Sequence, residues 1–241
     1  MEDPVLFDLK ELGTLVEGHF LSRPNRFVAL AEVGGVQARV HVADTGRLEE
    51  ILTPGRALLL LANRPGMKTD YTLVAARMEE GWVLINTRLH PSIARRAIER
   101  GVLGFVPQNV RNEVRYGSSR FDYRADSAWV ELKGCSLVID RTCLFPNAPT
   151  IRGTRHLEEL IRAHNEGDPA YILIMGLRPC RCFAPHPERD PKFREVFYRA
   201  LLSGVEYRGF CIGIDEKMRV VYRGELPLCR EGQEAQIRPL T

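Results

Sequence analysis

Residues 170–177 read AYILIMGL, eight positions without a charge. A strand with one wet face alternates apolar and polar residues, because successive side chains point to opposite faces. A short run that does not alternate is a strand covered on both faces, and such strands lie inside sheets flanked by helices. The neighbouring segments supply the covers. In RGTRHLEELIRAHNEG (152–167), Leu157, Leu160, Ile161 and His164 recur at i, i+3, i+4 and i+7, with Thr154 as N-cap and Gly167 as stop. PKFREVFYRALLSG (191–204) turns Phe193, Val196, Phe197, Ala200 and Leu201 to one side, behind Asp190 as N-cap. GFCIGID (209–215) is a second buried strand. Upstream, HPSIARRAIERGVL (90–103) is a helix opening with Pro91, and Val110 to Leu144 is rich in strands. Helix, three strands, helix, strand, helix, strand describes a mixed sheet with helices on its faces.

The first third reads as all-β. RFVALAEV (26–33) and QARVHVA (37–43) flank a Val-Gly-Gly-Val hairpin signal. RALLLLAN (56–63), YTLVAARM (71–78) and GWVLINT (81–87) follow, and TGRLEEIL (45–52) has the pattern of a short helix ended by Thr53-Pro54-Gly55. Five short strands suggest a closed barrel of the oligonucleotide/oligosaccharide-binding (OB) type. The fold class is therefore mixed α/β, an OB-like five-stranded β-barrel over 1–84 followed by a sheet-and-helix domain over 85–241.

The chemistry concentrates in SRFDYRADSAWVELKG (119–134). Two alternating runs flank a polar break at Ala125-Asp126-Ser127. Glu131 and Lys133 share a strand face with Trp129, and Asp122 comes near them when the runs pair as a hairpin. RNEVRYG (111–117) adds Glu113 upstream. Carboxylates converging at strand ends suit Mg²⁺ or Mn²⁺, which take oxygen ligands plus waters and substrate phosphate. The alternative is a hairpin with a solvated charged face, since surface ion pairs stabilise by only about 0–1 kcal/mol. Lysine usage weighs on this choice. The chain holds 29 Arg and 5 Lys, so a Lys inside an apolar strand asks for a chemical explanation.

Composition sets wider limits. Among 241 residues no apolar run approaches the ~20 needed to span a bilayer. MEDPVLFDLKELG is acidic and lacks the basic-then-apolar order of a secretory signal, so a cytoplasmic protein with free thiols at its six cysteines is expected. Residues 1–80 carry 9 basic and 12 acidic side chains, whereas 81–241 carry 25 and 19. The basic second part is compatible with a phosphate-rich partner.

Taken together, NEVRYGSSRFDYRADSAWVELKGCSL, then LFPNAPTIRGTRHLEEL, with RPNRFVA and HVADTGRLEEILTPG upstream, resemble the sugar fermentation stimulation protein A family over roughly residues 10–228. The resemblance implies a five-stranded barrel followed by the αβββαβ core of restriction-endonuclease-like, PD-(D/E)XK enzymes. By that likeness Asp122 and Glu131 are the metal-binding acids, Glu113 is a further one, and Lys133 is the catalytic lysine. Arg152 and His156 match basic positions and Glu159 an acidic one. Two departures stand out: Asn147 replaces the acid of FPDA, and Arg155 replaces the lysine of RGxKHL.

The leading expectation is a DNA-binding protein with a Mg²⁺- or Mn²⁺-dependent phosphodiesterase site. Asp122, Glu131 and Lys133 act in catalysis, and Arg152, His156, Arg120, Arg26 and Arg23 contact nucleic acid. Phe27, beside Arg26, alternates with inward positions and reads as core. Duplex and single-stranded DNA both stay open as partners, without strong sequence specificity, because no helix-turn-helix recognition helix is present. Oligomeric state is also left open. The competing readings are a non-catalytic DNA-binding regulator of sugar metabolism genes, and a barrel that binds single-stranded RNA or an oligosaccharide beside a scaffold domain.

Overall fold

The computed structural model describes residues 3–44, 46–117 and 119–230. Thr45 of the expected short helix and residues 231–241 of the expected second domain lie outside them. Strands β1 (Val5–Asp8), β2 (Leu15–Asn25), β3 (Val28–Val33), β4 (Val36–His41), β5 (Ala57–Ala62), β6 (Tyr71–Met78) and β7 (Gly81–Leu84) come first. Helix α1 (His90–Glu99) follows, then β8 (Val110–Tyr116), β9 (Ser119–Ala125), β10 (Ala128–Cys135), β11 (Val138–Ile139) and β12 (Thr142–Phe145). The chain continues through α2 (Ile151–Asn165), β13 (Ala170–Gly176), β14 (Cys182–Pro185), α3 (Pro191–Leu202), β15 (Glu206–Ile214) and β16 (Arg219–Glu225). Its described residues form two compact units, one of residues 3–90 with Gly213–Tyr222, the other of Pro91–Ile212 with residues 223–230. Strands β15 and β16 carry the chain from the second unit into the first and back. No described helix is long and apolar enough to cross a membrane.

In the first unit the strand order is β4-β3-β2-β5-β6-β7, and a parallel β4–β6 pairing closes a ring of five, the OB-like barrel. The ring differs in membership from the five strands read from sequence. Strand β2 belongs to it, while β7 lies outside as the hairpin partner of β6. Gly18, Pro24 and two register slips against β3 conceal β2, because they break its alternation. Gly18 is required there: a Cβ would lie 2.8 Å from the Glu32 carbonyl and 2.9 Å from Val33. The Val-Gly-Gly-Val turn forms as expected, with φ of +58° and +79° at Gly34 and Gly35. The short helix expected at 45–52 does not form. Leu48 takes a left-handed φ of +55°, and the segment turns so that Leu48 and Ile51 are buried.

In the second unit β15, β13 and β10 run parallel, and β9 and β8 extend the sheet antiparallel. Every residue of β13 is buried, as its unbroken apolar sequence requires. Helices α2 and α3 cover the sheet through Leu157, Leu160, Phe193, Val196 and Phe197. Helix α2 starts earlier than expected: Thr150, not Thr154, is its N-cap, accepting from the Gly153 N–H at 3.0 Å. Asp190 caps α3 as expected (Phe193 N–H, 2.9 Å), and its other oxygen accepts from the Thr150 N–H at 2.7 Å. One carboxylate therefore fixes the starts of both helices.

The expectation of six free thiols is corrected. Cys135 is bonded to Cys143 and Cys182 to Cys229, while Cys180 and Cys211 remain free with their sulfurs 3.7 Å apart. Tertiary register, invisible in the sequence, sets these neighbours: the Phe183–Leu228 bridge brings Cys229 beside Cys182, and Cys135, Gly176 and Cys211 share one row across β10, β13 and β15. Alkylation in denaturant without reductant should label Cys180 and Cys211 alone, and reduction before alkylation in denaturant should label all six. Reduction should also lower the melting temperature, since each bond stabilises by about 2–4 kcal/mol through loop closure. Six labelled cysteines without reduction would contradict the pairing.

Candidate active site

Strands β9 and β10 pair over only three positions: Ala125 with Ala128, Arg124 with Trp129, and Tyr123 with Val130. Beyond Val130 the ladder stops, although β10 stays paired with β13 as far as Cys135. Asp122 stands at this opening. Its Oδ2 accepts from the Leu132 backbone N–H at 2.8 Å, so a carboxylate satisfies a donor that a strand partner would otherwise take. Glu131, one residue before Leu132, is 2% exposed. Its Oε1 accepts from Lys133 Nζ and is hydrogen-bonded to His156 Nδ1, while its Oε2 is buried without a partner. Period-two geometry puts Glu131 and Lys133 on one face, and α2 lies over that face and delivers His156.

Arg152 stands one helical turn before His156, with its Nε 3.4 Å from His156 Nε2. A guanidinium only donates, so Nε2 accepts and the ring proton resides on Nδ1, directed at Glu131. An aromatic wall supports this arrangement. Phe121 packs 6.3 Å from the His156 ring and 5.5 Å from Trp129, centroid to centroid. Trp129 donates to Asp168 at 2.9 Å and lies under Arg124, whose guanidinium is 4.0 Å from the ring and bonds the same carboxylate. Trp129 is thus a packing residue that locks the paired part of the β9–β10 hairpin.

The two acids titrate differently for identifiable reasons. Burial pushes Glu131 up, but Lys133 and His156 outweigh it and hold the carboxyl below its usual range. Asp122 is pushed up to about 6, first by burial and then by the Glu131 charge, with Lys133, the Leu132 N–H and His156 opposing. A divalent cation between them would relieve that repulsion and satisfy Glu131 Oε2. The donor set, two hard carboxylates, suits such an ion. Among the described residues no three metal-ligating side chains converge, so waters and substrate would fill the other positions.

The remaining expected residues are distributed as follows. Glu113 does not join the acids. It falls between the pairs Asn112–Tyr123 and Val114–Phe121, in the ladder position facing Asp122, but a φ of +51° accompanies a side chain that is 72% exposed and paired with Arg120 at 3.0 Å. His156, expected on a nucleic-acid backbone, is buried against Glu131 and acts on the carboxylate instead. Arg152 and Arg120 are exposed at a cleft that also holds Arg115, Arg155 and Ser119. Sequence reading missed Arg115 and Ser119 as site residues, because only the β8–β9 register brings them to α2. Arg23, expected on nucleic acid, is half-buried and staples its own loop. Its guanidinium donates to the carbonyls of Arg26, Asp44, Gly46 and Arg47 at 2.7–2.9 Å. Arg26 is exposed and lies over Phe27, 5.6 Å from its centroid; Phe27 is 50% exposed rather than core. Asn147, in place of the family's acid, accepts from Arg189 at 2.9 Å.

The raised pKa of Asp122 has a testable sign. The folded state favours the protonated carboxyl, so the associated stability is present below the ordinary value of 3.8 and is lost as pH rises through about 6. Asparagine mimics the protonated group and can still accept from Leu132. In metal-free buffer Asp122→Asn should match wild type near pH 4 and exceed its stability by about 1–3 kcal/mol above pH 7. Chemical denaturation at both pH values checks this, and a less stable variant at neutral pH would contradict it.

Comparison with known proteins agrees with both halves of the fold. The family model for the SfsA N-terminal OB domain matches residues 21–85, and that for the sugar fermentation stimulation protein RE domain matches 88–218. A sugar fermentation stimulation protein homolog from Methanococcoides burtonii is 40% identical over 230 residues, covering 90% of this chain and 93% of the relative. One from Thermotoga maritima is 37% identical over 223 residues, covering 89% and 96%. The solved structure of Pyrococcus furiosus SfsA in complex with Ca²⁺ superposes with a TM-score of 0.83 at 31% identity, over 93% of this chain and 99% of that one. Identity at this level across nearly the whole of both chains, with the two domain models matched in order, makes this chain a member of the sugar fermentation stimulation protein (SfsA) family.

Proposed function

We propose that the protein binds DNA and hydrolyses its phosphodiester bonds with Mg²⁺ or Mn²⁺ held by Asp122 and Glu131, in the manner of a PD-(D/E)XK nuclease. The observation that carries this reading is the unpartnered, buried Oε2 of Glu131 beside Asp122, with Lys133 on the same carboxylate. The relative from Pyrococcus furiosus was solved with Ca²⁺, another divalent cation that prefers oxygen ligands, which supports such a site here. When bound, the cation supplies a water of lowered pKa and offsets charge on the scissile phosphate.

The chain's own residues do the rest. Leu132 N–H fixes one oxygen of Asp122 and leaves the other for the ion. His156 orients Glu131, as partners behind metal ligands commonly do. Lys133 places a compact positive charge beside the carboxylate, where it meets the attacking water or the phosphate. Exposed Phe27 with Arg26 above it gives the barrel a face on which a base can stack. The reading places the protein with cytoplasmic DNA, single- or double-stranded, with little sequence preference.

Incubating labelled DNA and RNA with Mg²⁺, Mn²⁺ or EDTA tests it. Cleavage should require the metal and fall roughly 10²–10⁴-fold in Lys133→Ala and Glu131→Gln. His156→Ala should weaken metal binding about 10–100-fold by calorimetry. Equal cleavage by wild type and the Lys133 and Glu131 variants would sink the reading. Tight, salt-sensitive binding without turnover would leave a DNA-binding regulator that keeps the nuclease fold.

A further inference from the structure

His156 forms a wall of the acidic site and also of a neighbouring cleft of about 610 Å³. Arg115, Ser119 and Arg120 line the cleft from the β8–β9 hairpin, and Arg152 and Arg155 from the first turns of α2. Glu113 is its one acid, already paired with Arg120. Two features make it more than a solvated arginine surface. Arg115 and Arg120 face each other directly across the ladder, and Arg152 and Arg155 stand at i and i+3 on the helix. Both spacings put like charges side by side, which is unfavourable unless an anion lies between them.

Ser119 is the second feature. It is 5% exposed, and its Oγ has no hydrogen-bond partner. Buried polar groups are nearly always paired, so an orphan asks for an explanation. Guanidiniums only donate, so the arginines around the cleft cannot accept the serine proton. The cleft is therefore rich in donors, and its one carboxylate, Glu113, is engaged by Arg120. A phosphate supplies acceptors only.

We infer that this cleft is a subsite for a non-scissile phosphate of the nucleic-acid strand, with Ser119 donating to a phosphate oxygen and Arg115, Arg152 and Arg155 balancing its charge. The identity of the strand rests on the nuclease reading; the preference for a phosphate rests on the cleft itself. A phosphate here lies just past His156 from Asp122 and Glu131, so it sets the register of the strand over the acids.

The test measures binding of short fluorescein-labelled single-stranded oligonucleotides in EDTA, where no cleavage occurs, across a salt series. Strands with a 5′-phosphate, a 3′-phosphate and no terminal phosphate separate an end group from an internal linkage. Ser119→Ala should weaken binding roughly five- to tenfold, with an unchanged salt slope, because a neutral donor is lost. Arg152→Gln and Arg155→Gln should weaken it and each reduce the slope by about 0.7. Loss with all three strands assigns an internal phosphate, and loss only with phosphorylated ends assigns a terminal one; both sustain the subsite. The free Ser119→Ala protein should melt at or above the wild-type temperature, since an unsatisfied hydroxyl has been removed. Wild-type binding by all three variants, or a lower melting temperature for Ser119→Ala, would overturn the inference. Cleavage by wild type alongside unaltered variant binding would overturn the subsite and leave the nuclease standing. Variant binding losses in a protein that never cleaves would do the reverse.

Discussion

A carboxylate buried as deeply as Glu131 is costly unless it is paired and hydrogen-bonded. Lys133 from its own strand and His156 from α2 meet that need at one oxygen. The other oxygen is left over. Much of the second unit can be understood as holding this incomplete arrangement in place. Strand β13 pins β10 along its length, the Trp129–Arg124–Asp168 cluster locks the paired part of the hairpin, and Asp190 fixes the helix that delivers His156. Structural neutrality would be reached more simply with an apolar residue at 131. The orphan oxygen, beside a second acid made reluctant to ionise, is the feature on which the proposed cation site rests.

The gap between β9 and β10 matters as much as the charges. Full pairing would occupy the Leu132 N–H and leave no room for Asp122. By parting after Val130 the strands convert a ladder position into a carboxylate site. Arg152 then links the site to the basic cleft, because the helical turn that holds His156 also carries Arg152 and Arg155, two of the cleft's four arginines. Acid and base are thus adjacent but sorted, with His156 between them.

Local patterns were legible in the sequence where one element decided them. The unbroken run at 170–177 gave a buried central strand, Gly34-Gly35 a tight hairpin, Asp190 a cap, and alternation put Glu131 with Lys133. Features set by register between elements were not legible. Strand β2 was hidden by Gly18 and Pro24, the Cys182–Cys229 pair by the Phe183–Leu228 bridge, and Ser119 with Arg115 by the β8–β9 ladder. Charge alone did not show that the terminal nitrogens of Arg23 bond four backbone carbonyls, or that His156 is buried against Glu131. Glu113 sits in the facing ladder position, yet a left-handed backbone accompanies its outward pairing with Arg120.

The central claim is that Asp122 and Glu131 are built to share a divalent cation. Anomalous diffraction from crystals soaked in Mn²⁺ tests it most directly. The account requires a peak bridging Asp122 and Glu131 Oε2, with His156 still on Oε1. Manganese bound elsewhere, with Oε2 still unpartnered, would contradict it.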